Sequence, residues 1–378
     1  MTRRPRAGRA PRAPRLRPLA TYAAIAVFLA ACGEEVRDSA TNPATPQAAD
    51  LNWLWSLSFW MGTVVWIVVM ILLAVPILRS RRAHDDEPAE LATASAPGRQ
   101  PPGAEIDGPM VAADPARHAE ARRDAKVRSR LLWIGGIIVP VIILFVLLIA
   151  DGRVGATTAH VEREGELVVD VTGHMFWWEV SYPEEGIVTA NEINIPVDRP
   201  VRFRLLSEDV IHSFWLPPLH GKTDMIPGQE NWQSFVPTQT GRFRGNCAEF
   251  CGIAHAQMVV WVEVMEPDDY DDWVLANQSP PDAPETESAI AGERAYFEAG
   301  CAACHAIDGT ASVARVGPDL TNLASRGTLA AGIVPNTRDN LRELIIDPWG
   351  LKPGNPMPPT IIDDDELDAL LDYLETLQ

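Results

Sequence analysis

Cys247-Ala248-Glu249-Phe250-Cys251-Gly252-Ile253-Ala254-His255-Ala256-Gln257-Met258 places two thiols, an imidazole and a thioether within twelve residues. Soft sulfur with imidazole selects copper, zinc or iron over hard cations. A further imidazole, His212, stands 35 residues before Cys247 at the end of a segment with strand patterning. One ligand would then come from a strand end and the rest from a single later loop. Blue-copper sites use one Cys, two His and a weak axial Met; a second cysteine at C-x-x-x-C spacing lets two thiolates bridge two coppers. A closed zinc site is the competing reading, but it needs no axial methionine and favours shorter Cys spacing.

Outward from this cluster, residues 159–275 show period-two patterning, with Val201, Phe203 and Leu205 on one face and Arg202 and Arg204 on the other. Asn191, Asp198-Arg199-Pro200, Pro217-Pro218, Pro227-Gly228 and Gly241 punctuate the strands. This pattern predicts an all-β sandwich or barrel. Residues 276–288, with three prolines and no large apolar side chain, read as a flexible linker. Such a tether spans about 20 Å and supplies an effective concentration of order millimolar.

The tether leads to a second domain, residues 289–378, which holds Cys301-Ala302-Ala303-Cys304-His305. CxxCH is the attachment signature of c-type haem: two thiols add to the vinyl groups and the adjacent His305 ligates iron. Met357, in Asn355-Pro356-Met357-Pro358, is the candidate distal ligand. Thioether ligation raises the potential and suits electron transfer. Leu367, Leu370, Leu371 and Leu374 recur at helical spacing near the carboxyl end.

Upstream, residues 51–78 and 131–150 are apolar and uncharged, long enough to span a bilayer as helices. Trp53, Trp55 and Trp60 suit an interfacial aromatic belt. The loop between them, residues 79–130, begins Arg79-Ser80-Arg81-Arg82 and ends with Arg122, Arg123, Lys126, Arg128 and Arg130, which places it in the cytoplasm. Its Ala-, Pro- and Gly-rich middle reads as mobile. Residues 1–31 carry seven arginines before a 13-residue apolar run ending Leu29-Ala30-Ala31-Cys32, a signal-peptide pattern. A plain signal peptide or a third span is the alternative to lipid attachment at Cys32. Residues 151–378 hold 14 Lys and Arg against 38 Asp and Glu, a balance of −24, whereas residues 1–150 carry +5. An acidic exterior argues against nucleic acid and for a basic protein partner steered by charge, with simple solubility as the alternative.

Three motifs in order, Asp209-Val210-Ile211-His212-Ser213-Phe214-Trp215-Leu216-Pro217, Gly221-Lys222-Thr223-Asp224-Met225-Ile226-Pro227-Gly228 and the 247–258 loop, resemble subunit II of haem-copper cytochrome c oxidase. The resemblance, extended through residue 378 by the CxxCH domain, is to the caa type. It implies two transmembrane helices, a cupredoxin β-sandwich and a small all-α cytochrome c domain. His212, Cys247, Cys251, His255, Met258 and the carbonyl of Glu249 would bind binuclear CuA. The Glu249 carboxylate would reach magnesium or manganese at the boundary with subunit I, and Gly317-Pro318 would orient His305. Residues 29–33 resemble the bacterial lipobox, with Cys32 acylated. The implied setting is the bacterial plasma membrane, with both the start at Cys32 and the carboxyl-terminal domains on the periplasmic side. Partners would be oxidase subunit I, other oxidase subunits, and cytochrome c or a quinol-cytochrome c reductase as donor. Electrons would pass through haem c and CuA to haem in subunit I, where oxygen becomes water. A CuA-containing nitric oxide reductase and a membrane-anchored carrier without an oxidase partner are the alternatives. Phe176 stands where the family carries an electron-accepting tryptophan, with Trp177 and Trp178 behind it. His84, His118, His160 and His220 read as surface or hydrogen-bonding residues.

Overall fold

The computed structural model describes residues 39–85, 115–159 and 165–378. Cys32 with its lipobox, His160 and most of the mobile-reading loop middle lie outside these residues, and the side chains of His84 and His118 are likewise not described. Helix α1 (Pro46–Asp85) contains the first apolar run; α2 (Pro115–Trp133), a π-helical turn (Ile134–Ile138) and α3 (Val139–Thr158) contain the second. Both helices overrun the apolar runs, because the Arg-, Lys- and Ala-rich flank favours helix as strongly as the core does. Val68, Leu72, Leu144 and Leu148 are among many exposed side chains along them. An all-round apolar surface on two helices of spanning length suits lipid and partner helices. Beside the β domain, the Thr157 hydroxyl donates to Asp50 Oδ2 at 2.7 Å and ties α3 to α1.

Ten strands form the sandwich. One sheet runs β3 (Ile187–Ala190), β2 (Trp177–Tyr182), β1 (Leu167–His174), β5 (Val201–Ser207), β8 (Asn231–Phe235). The other runs β4 (Glu192–Pro196), β10 (Val259–Met265), β9 (Gly241–Cys247), β6 (His212–Trp215), β7 (Lys222–Met225). Parallel pairing sets Val169 beside Phe203 and Val171 beside Leu205. These side chains meet Phe214, Val260 and Val262 in a fully buried core, each contributing roughly 1.5–3 kcal/mol on burial. The chain just before α1 is knitted into this sandwich: Ala44 N–H donates to Pro218 O at 2.7 Å, Thr238 N–H donates to Ala44 O at 3.0 Å, and the Thr45 hydroxyl donates to Leu219 O at 2.5 Å. Helix α4 (Pro267–Asn277) closes the sandwich, with Trp273 edge-on to Tyr182 at 5.0 Å.

The second domain is helical: α5 (Glu287–Glu298), a 3₁₀ turn (Cys301–Ala303), a short ribbon β11 (Thr328–Leu329) and β12 (Val334–Pro335), α6 (Arg338–Ile346), α7 (Pro348–Leu351) and α8 (Asp364–Leu374). Thr286, Thr337 and Asp363 cap α5, α6 and α8 by accepting backbone N–H groups. A Cβ at Gly292 would stand 1.9 Å from Ala369 O, so the close crossing of α5 and α8 requires glycine. Leu367, Leu370, Leu371 and Leu374 are all buried there, as their spacing predicts.

Two expectations need correction. Residues 276–288 are not a free tether: α4 runs to Asn277, α5 begins at Glu287, Gln278 donates to Glu185 O at 3.2 Å, and Pro280 packs on Gly309. His220 is not at the surface but is a hydrogen-bonding residue, its Nδ1 3.4 Å from Gly221 O, and burial lowers its pKa. Its ring lies 6.2 Å from that of Phe235, fifteen residues along the chain.

Candidate metal and haem centres

Strand pairing builds the first centre. β6 lies antiparallel to β9 with Phe214 opposite Cys247, which sets His212 beside the start of the 247–258 loop. The loop is pinched shut where Cys247 N–H donates to Met258 O at 3.0 Å, while Ala248 N–H donates to Ser213 O at 2.9 Å. Inside it, Cys247 Sγ lies 3.9 Å from Cys251 Sγ, too far for a disulfide. His212 Nδ1 is 3.9 Å from the first sulfur and His255 Nδ1 is 3.7 Å from the second. Met258 Sδ stands 3.9 Å from Cys251, and Glu249 O accepts the Cys247 thiol at 3.2 Å. The ligand atoms of His212, Cys247 and Cys251 all fall within 4.8 Å of one another. All six sequence-predicted groups therefore converge. The Glu249 carboxyl side chain points away, exposed at the surface with Phe250.

Electrostatics show what this arrangement needs. The hydrogen bond between the two thiols, with help from His212, holds the Cys247 thiol well below its usual range. The same pairing pushes Cys251 up, since two adjacent sulfurs cannot both be anionic without a cation. A donor set of two thiols, two imidazoles and a thioether fits soft metal, and two thiolates fit more than one. His212 Nε2–H points at Asp209 Oδ1, 2.8 Å away, leaving Nδ1 aimed into the centre. Burial opposes a charge on His212, but Cys247 and Asp209 outweigh it and raise its pKa.

The second centre forms where α5 ends. Cys301 and Cys304 are half-buried free thiols on the 3₁₀ turn. His305 Nδ1 donates to Pro318 O at 2.7 Å, so Nε2 is the nitrogen left for a metal. Burial lowers the His305 pKa and so disfavours the charged ring. A Cβ at Gly317 would meet His305 Cε1 at 2.7 Å, so glycine lets this loop lie flat on the ring. Met357 is half-buried, its N–H bonded to Asn355 Oδ1 at 3.1 Å. Val313, Val316 and Ile361, on the segments flanking His305 and Met357, are exposed by 78, 71 and 100%. Exposed aliphatic side chains near both ligand candidates in sequence fit an apolar group such as haem.

The profile for the periplasmic domain of cytochrome c oxidase subunit II matches residues 186–265, and that for cytochrome c matches residues 289–378. Cytochrome c oxidase subunit 2 of Alkalihalophilus pseudofirmus is 31% identical over 372 residues, covering 94% of this chain and 95% of that one. The chain belongs to the cytochrome c oxidase subunit 2 family. The Bacillus subtilis member is 33% identical over 270 residues, covering 66% of this chain and 75% of its own. Among solved structures, the periplasmic domain of subunit II of cytochrome oxidase from Bradyrhizobium japonicum is 30% identical, covering 31% of this chain and 96% of its own at TM-score 0.30. As a subunit 2 with a fused cytochrome c domain, the chain is the electron-receiving subunit of an oxidase, anchored by membrane helices and carrying copper and haem.

Sequence reasoning missed Asp209 as the partner of His212, although it stands in the quoted motif. It also missed Lys352, whose hydrogen bonds reach Phe176, 176 residues away. Only the first had a signal, an acid three residues from a ligand.

Proposed function

We propose that His212, Cys247, Cys251, His255, Met258 and the Glu249 carbonyl hold a copper pair, and that Cys301, Cys304, His305 and Met357 hold haem c. The observation that carries the first assignment is the pair of thiols 3.9 Å apart, each with its own imidazole. Bound there, the two groups supply one-electron chemistry, receiving electrons from an external cytochrome c or quinol-cytochrome c reductase and handing them to haem in subunit I. The chain's own residues supply rigidity. Asp209 fixes the His212 tautomer, Pro318 fixes that of His305, and the sandwich holds the 247–258 loop at both ends, so little rearranges when charge changes.

The exposed Glu249 carboxylate is available to a magnesium or manganese ion completed by subunit I, since hard cations take oxygen ligands. The basic flanks of the inter-helix loop support a cytoplasmic loop, with the β and haem domains on the periplasmic side. The acidic balance of residues 151–378 supports a basic donor. Metal analysis with electron paramagnetic resonance of the purified oxidase tests the copper assignment. Two coppers in this subunit and a mixed-valence signal abolished by Cys251→Ser, with haem absorption intact, are expected. One copper, or stoichiometric zinc after copper loading, would overturn it.

A further inference from the structure

Two short segments seat the haem domain on the β domain. In residues 326–332, Ala331 O accepts the Val259 N–H at 3.1 Å and Gly332 O accepts the Trp261 indole N–H at 2.9 Å. Gly327 N–H and the Thr328 hydroxyl both donate to Glu192, at 2.9 and 2.5 Å. Ala331 packs between Trp177 and Ala190. The second segment, residues 352–354, leads into the Met357 loop. Lys352 is 3% exposed, and its Nζ donates to Phe176 O at 2.7 Å and to Ala330 O at 3.1 Å. Beside it, a Cβ at Gly354 would lie 2.2 Å from Ile253 Cγ2.

Phe176 is an immediate neighbour of the copper loop. Ile253 belongs to that loop, and a Cβ at Gly252 would meet the Phe176 ring at 2.9 Å. Lys352 therefore links the segment that leads to the distal haem ligand candidate with the backbone of Phe176, whose ring lies against the copper loop. Burying an amine is expensive, and the shorter of its two hydrogen bonds leaves its own domain.

We propose that Lys352 is a positioning residue that registers the Met357 loop of the haem domain on the copper loop, so that haem and copper exchange electrons within a docked pair rather than across a swinging tether. With both groups bound, the docked pair would supply one-electron transfer from reduced haem to oxidised copper, with no atom or proton moving alongside. The transfer rate rests on the metal assignments proposed above, whereas the docking contact does not.

The Val259 amide reports docking directly, because its N–H is bonded to the other domain. In full-length chain within the assembled oxidase, Lys352→Met removes both donors while keeping an apolar stem of similar length. Hydrogen exchange at Val259 is expected to rise about tenfold, and copper reduction after flash reduction of the haem to slow by about tenfold, the scale of losing these two hydrogen bonds. The haem's thioether-ligation band and midpoint potential should hold. If Lys352→Met does not accumulate, Lys352→Gln, with a shorter donor, is read by the same measurements. Either exchange or transfer rate left unchanged, or a lost ligation band, overturns the proposal. Exchange at Val259 is readable whatever the metal content, so failure of the copper assignment and failure of the docking role are distinguishable.

Discussion

Asp209 accepts from both the Met175 N–H, at 2.7 Å, and the His212 ring. One carboxylate thus sets the imidazole's tautomer and pins the turn that leads to Phe176. Asp209→Ala is expected to weaken copper retention by roughly 10–100-fold in chelator competition, the usual cost of freeing a ligating histidine, without unfolding the sandwich. Lys352 adds a pH dependence. Burial pulls its pKa from 10.5 down to about 7 in the docked protein. Between those values the undocked state binds a proton that the docked state does not, so docking tightens as pH rises through this window and levels off below it. The neutral amine keeps two N–H bonds, enough for the two carbonyls it serves. Protection at Val259, corrected for intrinsic exchange, should therefore grow from about pH 7 to about pH 9, and Lys352→Met should flatten the slope.

At the scale of elements, the crossing of α5 and α8 depends on Gly292. Gly292→Val would drive a side chain into the Ala369 carbonyl, and a loss of about 1–3 kcal/mol or more is expected. Thermal unfolding followed at the haem should move to lower temperature, while unfolding of the β domain stays in place. The α8 leucines and the β5 alternation were legible in the sequence because burial on one face imposes its period locally. The thiol cluster was legible because four of its side chains share twelve residues, and their spacing alone restricts the metal. The docked state of residues 276–288 was not. Proline and polar composition forbids regular structure, but whether an irregular segment is held depends on distant groups such as Glu185 and Gly309. Lys352 was opaque for the same reason, and so was buried His220.

For the whole molecule, the charge balance and the docked haem domain support the proposed path from donor to haem, then copper, then subunit I. Phe176, Trp177 and Trp178 are all buried, and the first two sit beneath contacts from the haem domain. On the proposed path a soluble donor would meet the haem domain, where a chain lacking it would offer these aromatics. Removing residues 290–378 is expected to slow turnover with a soluble cytochrome yet leave a chemically reduced copper centre able to pass its electron on, which stopped-flow absorbance would resolve. Raising salt should slow only the first step, because exposed charges are screened within about 8 Å at physiological ionic strength.

Thr45, which bonds the sandwich, directly precedes Pro46, which begins α1. With no slack between them, the helix acts as a ruler that fixes the height of the copper loop above whatever accepts its electron in the membrane. Each residue added to the outer turn of α1 would lift the sandwich by about 1.5 Å and swing it about 100° around the helix axis. Four added residues, about one turn, nearly restore the facing but not the height. If α1 is such a ruler, that insertion should impair delivery to the acceptor while leaving reduction of the copper by haem at its original rate, a separation that flash kinetics on the two steps can measure.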